Sequence, residues 1–307
     1  MVLGVGAIAL RLVLAGSAGG ESNVGVSASP RDARSGASGH DAATAVRPHA
    51  LVGLSVSNVT GPVERRASPT EPWRAVQSGD LIALHEELRT GSGGAAALEL
   101  QDHTSIWMWP ESQVNTERLD DELSRIGIAG GRVDVNVPRR EQRTVEVQTA
   151  GGATATTQGA RFSIIVDGAH VATVATREGE VNVISGTGSV RVPPGMQTHA
   201  RPGEAPETVS PVPSELLLEV DWPASPMRSR TAIVRGHAPA GVLVSVGSTR
   251  VVLTPEGSFE QTLTLPDGDH EVEVTAEDVV GHRAVRRSPT LHVDTRPPAV
   301  NVRGRWE

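Results

Sequence analysis

The segment Gly130–Val137 reads GGRVDVNV, and the fold prediction starts from its pattern. After the glycine pair, every second residue is a valine, and polar side chains stand between the valines. The valines are Val133, Val135 and Val137, and the polar residues are Arg132, Asp134 and Asn136. Because side chains alternate between the two faces of a strand, this pattern predicts a strand with one buried and one solvated face.

Valine-rich segments with the same period of two lie on both sides of this strand, separated by Gly, Pro and Asp-Gly turn signals. They occupy residues 51–66, 97–109, 143–149, 161–167, 170–185 and 188–195. Short alternating strands with regular turn punctuation predict an all-β fold, either a sandwich, a roll or a barrel. Only Glu117–Ser124 is predicted as helical, with a loop as the alternative.

The composition excludes several classes of function. The chain has 307 residues, with 28 basic side chains, all arginine, and 36 acidic ones, so the formal net charge is −8. An acidic balance without a basic stripe disfavours nucleic acid as a partner. The absence of cysteine excludes a disulfide framework, a thiol nucleophile and a cysteine-ligated zinc ion.

The first fifty residues differ from the rest of the chain. Residues 1–20 are apolar except for Arg11, and this length is about that of a membrane-spanning helix. We predict a membrane anchor or signal segment; the alternatives are the stump of a longer segment and a disordered tail. Residues 21–50 are small and polar without periodicity, which predicts a disordered linker.

Across residues 51–205 the order of short motifs resembles the FecR domain, the extracytoplasmic β-rich module of iron-citrate-type regulators. The pieces include Trp73, Ser78–Leu81, Leu88–Gly91, Ala97–Leu100 with Asp102, Gly130–Val133, Gly159 with Phe162, Arg177–Val183 and Val192–Gly195. Two positions depart from the family pattern, because His103 replaces a usual Gly and Ala160 a usual Thr. The resemblance implies a FecR-like β-roll or sandwich.

Some of these residues have predicted structural roles. Four glycines are expected at turns or bulges with positive φ, where other residues are strained: Gly61, Gly79, Gly131 and Gly179. Trp73 and Phe162 are among the few aromatic residues of the chain, and both are predicted to fill the core.

The resemblance also implies a function. In the family, the domain receives a signal from an envelope partner and passes it across the inner membrane to a sigma factor. We therefore expect a non-catalytic periplasmic protein, tethered to the inner membrane by residues 1–20, that senses or relays a signal through protein–protein contacts. A sigma factor is a doubtful partner, because the cytoplasmic anti-sigma segment of the family does not precede the apolar segment.

A second β-rich region follows a predicted linker at residues 206–214. Residues 215–298 resemble the Ig-like repeats of bacterial surface proteins, on Gly236–Gly241, Pro255–Phe259 and Leu265–Gly268. Seven or so short strands in this length fit an Ig-like β-sandwich. Residues 299–307 are predicted as a tail.

Trp107 and Trp109 are the candidate site residues. They project to the same side of a predicted strand, with Met108 on the opposite side. If exposed, they form a platform for a partner protein or a sugar ring; if buried, they belong to the core, which is the preferred interpretation. The platform supports an alternative function, an envelope or surface scaffold that binds polysaccharide or another protein without signalling.

No other constellation predicts chemistry. The ten histidines are scattered, and no nucleophile elbow or phosphate-binding loop occurs, so we predict no enzyme, no cofactor and no metal site. Four acidic residues could contribute to a calcium site, but turn residues that accept backbone hydrogen bonds are the preferred interpretation. They are Asp267, Asp269, Asp278 and Asp294.

Overall fold

The computed structural model describes residues 53–120, 122–139 and 143–296. The described residues all belong to one compact unit. The described residues are all-β, as predicted, and among them no helix is long and apolar enough to cross a membrane. The predicted membrane segment at 1–20, the linker at 21–50 and the tail at 299–307 lie outside the described residues.

Seventeen strands form the first part of the structure, here called the N-terminal module. They are β1 (Leu54–Thr60), β2 (Val63–Arg66), β3 (Arg74–Ala75), β4 (Leu81–Ile82), β5 (Glu87–Thr90), β6 (Ala95–Glu99), β7 (Ser105–Met108), β8 (Gln113–Leu119), β9 (Leu123–Val137), β10 (Thr144–Thr149), β11 (Thr154–Thr157), β12 (Ala160–Val166), β13 (Ala172–Gly179), β14 (Val181–Ser185), β15 (Gly188–Val192), β16 (Met196–Ala200) and β17 (Ser210–Pro211).

These strands form two sheets that share the long strand β9. The first sheet has the order β4-β1-β6-β7-β9-β12-β13-β16-β17, and the second has the order β3-β2-β5-β8-β9-β10-β11-β14-β15. Strand β9 passes from the second sheet to the first at Gly130 and Gly131. Gly131 has a φ of 89° and lies so close to Ser112 that a side chain would clash. The glycine pair therefore provides the bend that connects the two sheets.

One hydrophobic core draws side chains from both sheets. Val133, Val135 and Val137 of β9 are buried in it, as the alternation predicts, and Phe162 of β12 is 1% exposed. Burying a phenylalanine or valine side chain stabilises the fold by about 1.5–3 kcal/mol. The alternation also sends the polar residues of β9 to the opposite, outer face of the first sheet.

Three predictions within the N-terminal module can be checked directly. All four predicted turn glycines have positive φ, and His103, which stands where the family usually has Gly, also has a positive φ of 65°. The helix predicted at Glu117–Ser124 is wrong: β8 continues to Leu119 and β9 begins at Leu123, because this segment pairs as a hairpin.

The prediction that Trp73 fills the core is also wrong. Its ring is half-buried between two arginines, with the guanidinium carbons of Arg66 and Arg89 at 4.4 and 4.1 Å from the ring centre. A tryptophan face attracts a cation through its quadrupole, so this residue packs between two charged side chains.

Nine short strands form the C-terminal module. They are β18 (Glu219–Asp221), β19 (Thr231–His237), β20 (Leu243–Val246), β21 (Thr249–Val251), β22 (Ser258–Thr264), β23 (Gly268–His270), β24 (Glu273–Glu277), β25 (Arg283–Arg287) and β26 (Leu291–Val293). They build sheets with the orders β18-β19-β22, β21-β20-β24-β25 and β23-β26 around a second core that contains Phe259. The Ig-like assignment and the module boundaries stay predictions. Strand β17 lies in the predicted linker and pairs with β16.

Candidate functional site

Trp107 and Trp109 lie on the same side of the first sheet, as predicted. Met108 between them is fully buried in the core, and both tryptophans are half-buried on the outer face. Their ring centres are 6.1 Å apart and the ring planes meet at 64°, an edge-to-face contact. The two rings therefore do not form one flat platform, and each has its own surroundings.

Trp109 lies against a buried arginine. The guanidinium carbon of Arg132 is 4.6 Å from the centre of its ring, and the Trp109 Nε1–H donates to Asp134 Oδ2 at 2.8 Å. Arg132 and Asp134 alternate with the core valines on β9, so they emerge on the same face as Trp109. This side chain is fixed by its partners and lies at the contact between the two modules.

Arg132 is the centre of that contact. Its side chain is only 4% exposed, and it forms ion pairs with Asp134 of its own strand and with Glu277 of β24 in the C-terminal module. Gly281 of the C-terminal module, with a φ of 93°, packs so closely that a Cβ there would lie 2.6 Å from the Arg132 Nη1. A buried arginine is tolerated only when its charge is paired, and each module supplies one carboxylate here, while the Arg132 Nε–H has no hydrogen-bond partner among the described residues.

Further contacts extend this junction along the outer face. Arg250 forms an ion pair with Glu111 at 2.9 Å, and burial lowers the pKa of Arg250 while Glu111 opposes that shift. The Arg177 Nη2 donates to the carbonyl oxygen of Val280 at 2.9 Å. An apolar cluster formed by Ile165, Ala175, Leu243 and Val279 lies in the same contact. The junction thus combines charge pairing with hydrophobic burial.

A histidine marks another part of the junction. Burial lowers the pKa of His199 on β16, although Glu207 nearby opposes the shift, and its Nδ1 lies 2.9 Å from Thr173 Oγ1. Gly241 of the C-terminal module is in close contact with both side chains. Burial also raises the pKa of Asp167, whose carboxylate accepts hydrogen bonds from two backbone amides of its own loop. Burial thus shifts the pKa of each group in the direction that favours its neutral form.

Trp107 lines a different feature, a groove on the part of the same face that the C-terminal module does not cover. The groove has a volume of about 280 Å³, and its lining includes Ser105, Trp107, Asn136 and Ser163. It was not predicted, because the alternation identifies an outward residue but does not show whether that residue is covered. The Arg132 junction was missed for the same reason.

The four acidic residues considered for calcium contact different partners. Asp267 binds Arg230 and Thr295, Asp269 binds His292, and Asp278 accepts from the backbone amides of Val280 and His282. Asp294 accepts from the backbone amide of Arg296. Within the described part of the chain, no group of three or more His, Asp or Glu side chains could hold a metal ion.

Comparison with known proteins identifies the N-terminal module. Residues 86–182 match the model of the family described as FecR protein, so this part of the chain is a FecR domain. Arg132, Trp107 and Trp109 all lie inside the matched range, whereas Glu277 lies outside it. A FecR domain indicates a signalling-related regulator. No curated protein matches the sequence.

Among solved structures, two crystal structures of a proposed anti-sigma factor from Parabacteroides distasonis ATCC 8503 are similar in part. Their sequence identities are 19% and 18%, and each comparison has a TM-score of 0.37 over 41% of this chain. The chain spans 59% of the length of these proteins. These similarities are too low to bear on function, which is argued from the FecR match and the geometry.

Proposed function

We propose that this chain is a non-catalytic FecR-domain protein of the bacterial envelope that senses or relays a signal through protein–protein contacts in the periplasm. The observation that carries the proposal is the Arg132 junction, which joins the FecR-matching module to the C-terminal module. A relay needs a mechanical connection between the region that meets a partner and the region that responds.

The chemistry of the junction suits such a connection. Separating the modules breaks the Arg132–Glu277 ion pair and exposes the apolar cluster that includes Ile165 and Leu243 to water, so separation is unfavourable. A partner that binds one module and shifts the other must replace these contacts. Partner binding on either module can therefore change the state of the whole unit.

The partner in this proposal is an envelope protein. The outer strands β3 and β15 of the second sheet have one unpaired side among the described strands, and strand addition at such an edge is a common mode of recognition. Sigma-factor control by this chain alone remains outside the proposal.

A transcript comparison in the native host tests the relay. Deleting the gene should change a restricted set of transcripts several-fold, and both wild type and Arg118→Ala should restore them at equal protein level. Arg118 is an exposed arginine paired with Asp120, so its variant is a matched control. Arg132→Ala should fail to restore the set. Unchanged transcripts after deletion, or full restoration by Arg132→Ala, would refute the relay.

The location needs a separate experiment. Alkaline phosphatase fused after Glu307 should be active in the host, because its disulfides form only in an oxidising compartment. An inactive but intact fusion would place the chain in the cytoplasm and contradict the proposal.

A further inference from the structure

The groove beside Trp107 is a site of its own on the outer face of the first sheet. We call it the Trp107 groove; its lining includes Ser57, Glu99, Ser105, Trp107, Asn136 and Ser163. Its volume of about 280 Å³ lies near the lower end of ligand pockets, about 300–1,000 Å³, so it suits a ring-sized group.

The strand register builds this groove from two rows of side chains. In one row Ala97, Trp107, Asp134 and Ser163 are neighbours across β6, β7, β9 and β12. In the other row, Ser105 pairs with Asn136. Small alanine and serine side chains beside a tryptophan leave a depression with an aromatic wall.

The charged groups around the groove are already engaged. Asp134 accepts from Trp109 and pairs with Arg132, and Glu99 lies 3.0 Å from His103 Nδ1. Arg161 pairs with Glu178, and Arg177 donates to the backbone of the C-terminal module. Two carboxylates and two arginines line the groove, so their formal charges cancel.

Neutral polar groups of the groove are available to a ligand. Among the described residues, the buried Trp107 Nε1–H has no hydrogen-bond partner, and Ser105 and Asn136 line the groove with it. Ser163 is only 1% exposed, yet it faces the groove because it alternates with the core residues Phe162 and Ile164. A buried indole N–H without a partner is unfavourable, so a ligand that accepts a hydrogen bond from the Trp107 Nε1–H is favoured.

We propose that the Trp107 groove binds an uncharged saccharide, with one sugar ring stacked against Trp107 and its hydroxyls bonded to Ser105, Asn136 and Ser163. A sugar hydroxyl both donates and accepts, which matches the serine hydroxyls, the Asn136 amide and the unpaired Trp107 Nε1–H of the groove. Its apolar ring face matches an indole face, and it brings no charge into a groove whose charges are already paired. This inference does not depend on the signalling function.

Binding to defined oligosaccharides tests the proposal. The probes are tetraoses of β-1,4-linked glucose, N-acetylglucosamine and mannose, titrated by calorimetry into the full chain, with tetragalacturonate as the acidic comparison. At least one neutral tetraose should bind, and more tightly than the acidic one. Absence of binding by all three, or tighter binding of tetragalacturonate, would overturn the proposal.

Three variants locate the binding. Trp107→Ala should weaken the affinity at least tenfold, and Ser163→Ala, which removes one oxygen atom, should weaken it about three- to tenfold. Trp73→Ala is the matched control, because Trp73 lies between Arg66 and Arg89 and does not line the groove. Since Ser163→Ala barely changes the core, it keeps the test valid if Trp107→Ala unfolds. Equal affinity of Ser163→Ala and wild type would show that the sugar binds elsewhere.

Discussion

The outer face of the first sheet has one half that the C-terminal module covers and one half that it leaves open. Both halves arise from the same alternation of inward and outward side chains along the strands. In the covered half, Arg132 and Ile165 meet the C-terminal module, and the charges are paired. In the open half, Asn136 and Ser163 border a groove in which the buried Trp107 Nε1–H has no hydrogen-bond partner among the described residues. The difference teaches that a polar residue at an outward position can be structural or available for a ligand, depending on what covers it.

The largest expected effect comes from the core beneath both halves. Phe162→Ala removes a side chain that is 1% exposed under the groove, so the free energy of unfolding should fall by about 3–5 kcal/mol. Leu217→Ala, at a residue that is 66% exposed, should change it by less than about 0.5 kcal/mol. Urea unfolding measures the free energy of unfolding of both variants. A small loss for Phe162→Ala would mean that the core beneath the covered and open halves of the sheet does not depend on this side chain.

The second prediction concerns the contact that covers one half of the face, and the change is designed to loosen the two modules from each other. Arg132→Ala removes the pairing of Asp134 and Glu277, which are each about a third exposed and regain some hydration. We expect a loss of about 1–3 kcal/mol, less than for a fully buried pair. Scanning calorimetry should then resolve two transitions where the wild type has one. A single transition with an unchanged midpoint would show that Arg132 does not hold the modules together.

The third prediction tests the close approach at the junction. Gly281→Ala places a methyl group against the Arg132 guanidinium at a positive φ of 93°. Gly247→Ala is the control, since its φ is also positive but nothing lies within 4 Å of the added Cβ. Both variants have backbone strain of about 1–2 kcal/mol, and Gly281→Ala should be destabilised by about 1 kcal/mol more. Equal losses in thermal unfolding would argue against tight packing at Gly281.

The smallest expected effect concerns pH at His199. Burial lowers its pKa below the ordinary 6.5, so the unfolded chain binds a proton more readily than the folded one. Stability is therefore fully present above pH 6.5 and is lost as the pH falls from 6.5 towards the folded pKa. Asp167, whose pKa is raised above 3.8, has the opposite effect at lower pH.

His199→Asn should remove most of this dependence while keeping a polar atom near Thr173 Oγ1. Thermal midpoints at pH 7.5, 6.5 and 5.5 compare the two proteins. If the wild type and the variant lose stability in parallel, another group is responsible for the slope.

Much of the fold could be predicted, because alternation and turn chemistry are local. The valines of β9, the buried Phe162 and the positive φ of Gly131 follow from the sequence and are confirmed. The prediction of a helix at Glu117–Ser124 failed because a short charged segment between strands is also compatible with a hairpin. The prediction that Trp73 fills the core failed because it relied on the size of the side chain, whereas the two arginines that surround the ring come from different strands.

The candidate site was predicted only in part. That Trp107 and Trp109 share a side follows from the two-residue period, and the structure places them so. Their separate surroundings, a groove for one and a buried arginine for the other, depend on residues more than a hundred positions away, such as Glu277.

By itself, then, the sequence determined the strands, the faces of their side chains and the FecR resemblance, because each depends on neighbours in the chain. Only the tertiary structure decided that Arg132 is buried and paired while Ser163 faces a groove. Both residues stand at outward positions of adjacent strands, and the packing of the C-terminal module over one and not the other is set by contacts that no local pattern encodes.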